Sequence, residues 1–181
     1  MILKVAKLGH PVLRAKAKAI PPDKVRSAEV QRLIDDMIDT LFEYDGVGLA
    51  APQVHVSARL VLALEPAREA SEGKKEAPGR LHILLNPEFL ERSEAVETGW
   101  EGCLSVPDLR GLVTRPRGVR VRCLDRDGKK REFAVEGFFA RVLQHECDHL
   151  DGKVFLDRMS GLESLTFNSE FGRHEPAPDD A

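Results

Sequence analysis

"VLQHECDHLDG", Val142 to Gly152, decides how this chain is read. It holds His145, Glu146 and His149 in the spacing H-E-x-x-H. The stretch lies in a longer run, "FFARVLQHECDHLD" at 138–151, where Phe138, Val142, Cys147 and Leu150 offer apolar packing. Read as a helix that stops at Gly152, the run carries both imidazoles on one face, one turn apart. A single metal ion asks that geometry of two nitrogen ligands. Glu146 follows the first imidazole and can serve a water at the metal without being a ligand itself.

A catalytic metal needs a third protein ligand and an open position. The longer pattern H-E-x-x-H-x-x-G-x-x-H matches as far as Gly152 and then fails, because Phe155 stands where a histidine is required. Glu163 and Glu170 are the downstream glutamates, but Gly161 and the composition of "SLTFNSEF" give no convincing helix to carry them. Upstream, Cys103 in "EGCLS" follows a glycine that lets the backbone come close, and Ser105-Val106-Pro107 ends its strand. A lone cysteine is ordinarily a small buried hydrophobe, so the residues by themselves leave the third ligand open.

Outward from this stretch, "SAEVQRLIDDMIDTLFEYD" from Ser27 to Asp45 reads as an amphipathic helix. Val30, Leu33, Ile34, Met37, Ile38, Leu41 and Phe42 recur on a helical period, with Ser27 to cap the start and Gly46 to close the end. "GVGLAAPQ" at 46–53 follows and cannot continue the helix. Strand-like runs come next: "RLVLAL" at 59–64, "LHILLNPEFLE" at 81–91 and "ETGWEGCLSV" at 97–106. "EPAREASEGKKEAPGR" at 65–80 reads as an exposed loop between the first two. "GVRVRCLDRDGKKREFAVEG" alternates on both sides of Asp127-Gly128, which is a hairpin signal. Short strands without regular βαβ alternation predict an α+β domain, with short, mostly antiparallel sheets wrapped around the helix that carries H-E-x-x-H. That single domain spans residues 1–168, and residues 169–181 form a polar tail whose end is expected to be disordered.

The 181 residues suffice for one core, and a formal net charge of −3 argues against a partner held by phosphate, hence against a specific nucleic acid. In "RPRGVRVR", Arg120 and Arg122 alternate with Val119, Val121 and Cys123, as on a strand with one solvated face. No apolar run approaches the ~20 residues of a membrane helix. "MILKVAKLGHPVLR" lacks the parts of a signal peptide. Cys103, Cys123 and Cys147 are an odd set without framework spacing, so a reducing, cytoplasmic setting is expected.

Taken together, "GVGLAAPQ" at 46–53, "EGCLSVP" at 101–107 and "QHECDHLDG" at 144–152 resemble peptide deformylase in order and spacing. The similarity runs from Gly9-His10-Pro11 to Asp157. The resemblance implies a metal-dependent hydrolase of protein biosynthesis, which removes the N-formyl group from the initiator methionine of new polypeptides and releases formate. It implies one divalent metal held by Cys103, His145 and His149, with Fe(II) favoured and Zn(II), Ni(II) or Co(II) able to take the same ligands. It makes Glu146 the general base and acid, and sets the Gln53 side-chain amide and the Leu104 backbone N–H against the oxyanion. Gly46, Val47 and Gly48 would pair with an extended peptide, their glycines leaving the backbone bare. Val47, Phe138 and Val142 would wall the methionine pocket. The implied partners are N-formyl-Met nascent polypeptides, met at the ribosome or after release. Arg141 stands where many bacterial members carry an apolar residue, and "ARVLQHE" with the short tail looks like the mitochondrial-type branch.

Two other readings compete. A zinc endopeptidase of the H-E-x-x-H type would take its third ligand downstream and leave Cys103 dispensable. A catalytically silent relative that binds nascent chains would give Glu146 and Gln53 no chemical task.

Overall fold

The computed structural model describes residues 1–67 and 79–173. Most of the loop expected at 65–80, and the end of the tail from residue 174, lie outside the described residues.

The first helix, α1, spans Ala28–Glu43. The Ser27 side chain caps it by accepting the Val30 N–H. Ile34, Met37 and Leu41 are buried, while Phe42, expected on the same face, is exposed. The helix ends differently from the expectation. The left-handed residue is Asp45 (φ 49), not Gly46. Asp45 and Gly46 donate their N–H groups back to the carbonyls of Phe42 and Leu41, which closes the last turn in a Schellman arrangement.

A five-stranded antiparallel sheet follows, built from β1 (Gly48–Ala50), β2 (Leu60–Glu65), β3 (Arg80–Arg92), β6 (Gly118–Leu124) and β7 (Lys130–Glu136), in the order β1-β2-β3-β6-β7. The hairpin expected at Asp127-Gly128 joins β6 to β7, with Gly128 at φ 78. Arg120 and Arg122 face solvent between buried Val119, Val121 and Cys123, as the alternation requires. A smaller sheet contains β4 (Val96–Cys103), β5 (Val106–Pro116) and β8 (Thr166–Phe167), in the order β4-β5-β8. The run at 97–106 is therefore not one strand. It is most of β4, a tight turn at Leu104-Ser105 and the first residue of β5, paired as Cys103↔Val106.

The second helix, α2, spans Gly137–Leu150. Gly152 (φ 72) stops it, with the Lys153 N–H on Asp148 O at 2.9 Å. Alternation on β2 sorts the core. Val61 and Ala63 face α2 together with Leu84, Val121, Val142, Leu143 and Leu150. Leu60 and Leu62 face the opposite way, onto α1 with Ile34, Met37, Leu41 and Leu85. Each fully buried leucine contributes about 1.5–3 kcal/mol. The smaller sheet covers the far side of α2, with Val113 of β5 packed in one cluster with Phe155 from the short turn Phe155–Arg158 that follows the helix. Helix α2 is thus enclosed, and every residue from Phe139 to Leu150 is buried. Phe138, expected to pack inside, is exposed at 53%.

The N-terminal segment crosses these layers. Ala6 donates its N–H to Gln53 O, Leu8 to Ser105 O and Ala17 to Leu150 O, at 2.7–2.8 Å. Asn86 holds the far end by accepting the Ile20 N–H and donating to the Ile20 carbonyl, both at 2.8 Å.

Candidate metal centre and active site

A helix buried on all sides must partner its polar side chains or leave them for a ligand. On α2 the buried polar residues are Arg141, Gln144, His145, Glu146, Asp148 and His149. Gln144 donates to Pro116 O and Ala140 O. Asp148 accepts from Arg115 at 2.9 Å and from Arg158. Arg115 also grips both oxygens of Glu101, at 2.6 and 2.9 Å. The remaining groups converge on one point.

There, Cys103 at the end of β4 meets the helix. Its Sγ lies 3.3 Å from His149 Nε2, and one ligand atom from each of Cys103, His145 and His149 falls within 4.8 Å of the others. The two imidazoles stand edge to face with centroids 5.1 Å apart, as a spacing of four residues on a helix requires. His145 Nδ1 faces Glu101 Oε2 at 2.9 Å. Nδ1–H therefore donates to the carboxylate, and Nε2 is left to act as a ligand. Burial alone would raise the Cys103 thiol. The charge of His149 and hydrogen bonds to both histidines outweigh it and hold the thiol well below its ordinary range. That shift favours the thiolate, the form that binds metal. Burial alone would lower His145, but bonds to Cys103 and Glu101 raise it well above its usual value. A metal taking Nε2 would displace that proton.

The donor set fits a divalent transition metal: a thiolate and two imidazoles, buried and mutually close, with the outer nitrogen of His145 already anchored. Glu146 Oε2 is buried without a hydrogen-bond partner, as suits a carboxylate facing a reaction space. Burial pushes the Glu146 carboxyl up to about 7 despite the opposing charges of His145 and His149. The buried Glu101, in contrast, is held at about 2 by Arg115 and His145, which outweigh its desolvation. Two carboxyl groups beside one metal site are thus tuned apart, one permanently ionised and one poised to exchange a proton. Among the described residues, neither Glu163 nor Glu170 joins a ligand cluster, so the downstream-ligand alternative has no support.

A cavity of about 580 Å³ opens beside this cluster. It is lined by Gly46, Val47, Gly48, Gln53, Cys103, Leu104, Phe138, Val142, His145 and Glu146, which are ten of the eleven site residues expected from sequence; His149 lies deeper, with no exposed surface. Gln53 is oriented by its Oε1, which accepts the Ala50 N–H at 2.8 Å. Its Nε2 then points at Ser105 Oγ (3.3 Å) and Cys103 Sγ (3.5 Å). Leu104 sits in the turn between β4 and β5, its carbonyl accepting from Lys7 Nζ at 2.9 Å. Gly48 has a second purpose unseen in sequence. A Cβ there would lie 2.3 Å from Glu146 Oε1, so the glycine makes room for the carboxylate. Sequence reasoning also passed over Glu101, Arg115, Asp148 and Ser105. Glu101 could have been found as the residue two before Cys103, on the same strand face. The others depend on pairing that no local pattern announces.

Three comparisons place this geometry. The sequence profile of the polypeptide deformylase family matches residues 2–164. A peptide deformylase from Leptospira biflexa is 38% identical over 170 residues, covering 93% of this chain and 94% of its own. One from Azotobacter vinelandii is 44% identical over 162 residues, 90% of this chain and 89% of its own. Among solved structures, the class I type b peptide deformylase of Acinetobacter baumannii with Met-Ala-Ser bound superposes with a TM-score of 0.79 at 38% identity, covering 88% of this chain and 99% of its own. The enzyme from Ehrlichia chaffeensis gives 0.79 at 32% identity, with 90% of each chain covered. With the family profile spanning nearly the whole fold and the three motif segments gathered at one cavity, the chain belongs to the polypeptide deformylase family.

Proposed function

We propose that this hydrolase removes the N-formyl group from the initiator methionine of new polypeptides through one divalent metal held by Cys103, His145 and His149, with Glu146 as proton carrier. The observation that carries the reading is the convergence of the Cys103 thiolate and two imidazoles beside a buried carboxyl tuned to about 7. A metal in that position would supply a nucleophilic hydroxide near neutral pH and polarise the formyl oxygen. Glu146 takes the proton of the attacking water and delivers it to the departing methionine nitrogen, a task suited to a group that titrates near the working pH. The Gln53 amide, fixed by Ala50, and the Leu104 N–H are the donors for the negative charge that develops on the formyl oxygen.

Strand β1 is the edge of its sheet, so an extended peptide can pair beside Gly46–Gly48. Val47, Phe138 and Val142 border the cavity where the methionine side chain enters. The Acinetobacter baumannii relative with Met-Ala-Ser bound supports a peptide of that kind as product. Fe(II) is the metal we favour, with Zn(II), Ni(II) or Co(II) compatible with the same donors. We place the substrate on nascent chains in the cytoplasm and the catalytic domain at residues 1–168; no helix among the described residues is long and apolar enough to cross a membrane.

The test is formate release from formyl-Met-Ala-Ser by anaerobically prepared protein, with metal content measured on the same sample and acetyl-Met-Ala-Ser as competitor. Formate at one metal per chain, with strong preference for formyl, supports the reading. Cleavage of interior peptide bonds would replace it with the endopeptidase, and binding without release with the silent relative.

A further inference from the structure

The ligand set is divided between two elements. Helix α2 brings two imidazoles and strand β4 brings the thiolate, so the site exists only when helix and strand sit in one register. Along α2, Arg141, His145 and His149 recur at every fourth residue and stack on one face. Along β4, the groups that meet them are the carbonyls of Glu97 and Gly99, the carboxylate of Glu101 and the thiol of Cys103. We propose that Arg141 is a positioning residue that fixes this register and so brings His145 and His149 to Cys103. The inference rests on the ligand assignment above.

The geometry that carries it is a buried guanidinium held from two strands. Arg141 is 9% exposed. Its Nη1 donates to Glu101 Oε1 at 2.9 Å and to Val113 O at 2.8 Å, and its Nη2 donates to Glu97 O at 2.7 Å. The same Glu101 accepts from His145 on its other oxygen at 2.9 Å. One carboxylate is therefore shared by two residues a helical turn apart. Sliding α2 along β4 by one residue, roughly 3.3 Å, would break both contacts together. A planar guanidinium enforces this better than an ammonium, because its donors are fixed relative to one another. Gly99 completes the fit. A Cβ there would stand 3.1 Å from Arg141 Cζ, so the guanidinium would have to shift by a few tenths of an ångström to keep its place against the strand. Arg115 grips Glu101 from β5 and sets the carboxylate plane, but it stands on neither ligand-bearing element.

The experiment compares the parent, Arg141→Met and Gly99→Ala for Zn(II) affinity by chelator competition, and for the visible absorption of the Co(II) forms. His145→Ala is the control for the ligand assignment: if it binds Zn(II) as tightly as the parent, the ligand reading fails before Arg141 is judged. If positioning is Arg141's role, Arg141→Met lowers Zn(II) affinity about 10–100-fold, the range typical of groups that orient a ligand, and alters the Co(II) spectrum. Gly99→Ala, acting on the same contact from the strand side, lowers affinity in the same direction by less. Unchanged affinity and spectra in both variants, with any loss confined to KM for formyl-Met peptides, overturn the proposal and leave Arg141 a wall of the cavity. Should Arg141→Met fail to fold, Gly99→Ala decides alone.

Discussion

At the scale of single residues, the site depends on two carboxyl groups given opposite environments and on a glycine shaped around one of them. Glu101 is surrounded by donors and stays ionised, whereas Glu146 is buried with one oxygen unpartnered. Replacing Glu146 with glutamine keeps the volume and removes the proton exchange. Glu146→Gln is therefore expected to bind metal as the parent does while its turnover falls about 10²–10⁴-fold. Formate release and metal content measured on one preparation check this, and turnover within about an order of magnitude of the parent would exclude Glu146 as proton carrier. The histidine pair and Glu146 were legible in sequence because helical spacing converts a short motif into geometry. Cys103 was not legible from the residues alone. Its partners lie on another element, and only the resemblance joined them. Gly48 was assigned to peptide approach by its bareness, and its closeness to Glu146 is a tertiary fact that no local pattern encodes.

At the scale of elements, periodicity disclosed α1, α2 and the β6–β7 hairpin, while the β4–β5 hairpin escaped it. The Leu104-Ser105 turn has no glycine or proline to mark it, and Pro107 argued for an end. The ladder, however, shifts register there, with Cys103 opposite Val106 and Gly102 opposite Arg110, so the intervening bulge needs no N–H from Pro107. The stop of α2 gives a sharper test. Gly152 combines a left-handed φ of 72 with a site where a Cβ would lie 2.5 Å from Arg14 O. Gly152→Ala should cost about 2–4 kcal/mol, read as a lower urea midpoint at constant slope. Strand β3 carries a pH dependence. Burial lowers the His82 pKa below 6.5 even though Glu65 Oε2, 2.9 Å away, opposes the shift. The folded protein then binds fewer protons than the unfolded chain between the two values. Stability is full above the unfolded value and is lost as pH falls below it. His82→Gln should flatten the decline in thermal midpoint between about pH 7.5 and 5.5, and an unchanged decline would assign it to other groups.

At the scale of the molecule, one bound ion would join α2 to the smaller sheet, so metal should act as a cross-brace for the whole fold. Binding to the native state alone stabilises by about 4 kcal/mol when free metal exceeds its Kd a thousandfold. For a chain of this size that amounts to a thermal midpoint higher by about 10 °C. Calorimetry of Ni(II)-loaded and chelator-stripped protein checks it, and coincident midpoints would mean that the ion contributes nothing to holding the sheets. The N-terminal segment provides a second brace, one made of backbone. Its hydrogen bonds reach Gln53, Ser105 and Leu150, one in or beside each of the three motif segments, and Arg14 packs where Gly152 turns. Residues 6–17 precede all of those partners in the chain, and Ala17 and Arg14 must wait for Leu150 and Gly152 before they can dock. Folding is thereby tied to contacts of long sequence separation, which slow it relative to a fold built from local contacts. One short segment of backbone, through Ala6, Leu8 and Ala17, thus ties together three stretches of chain that the sequence keeps far apart.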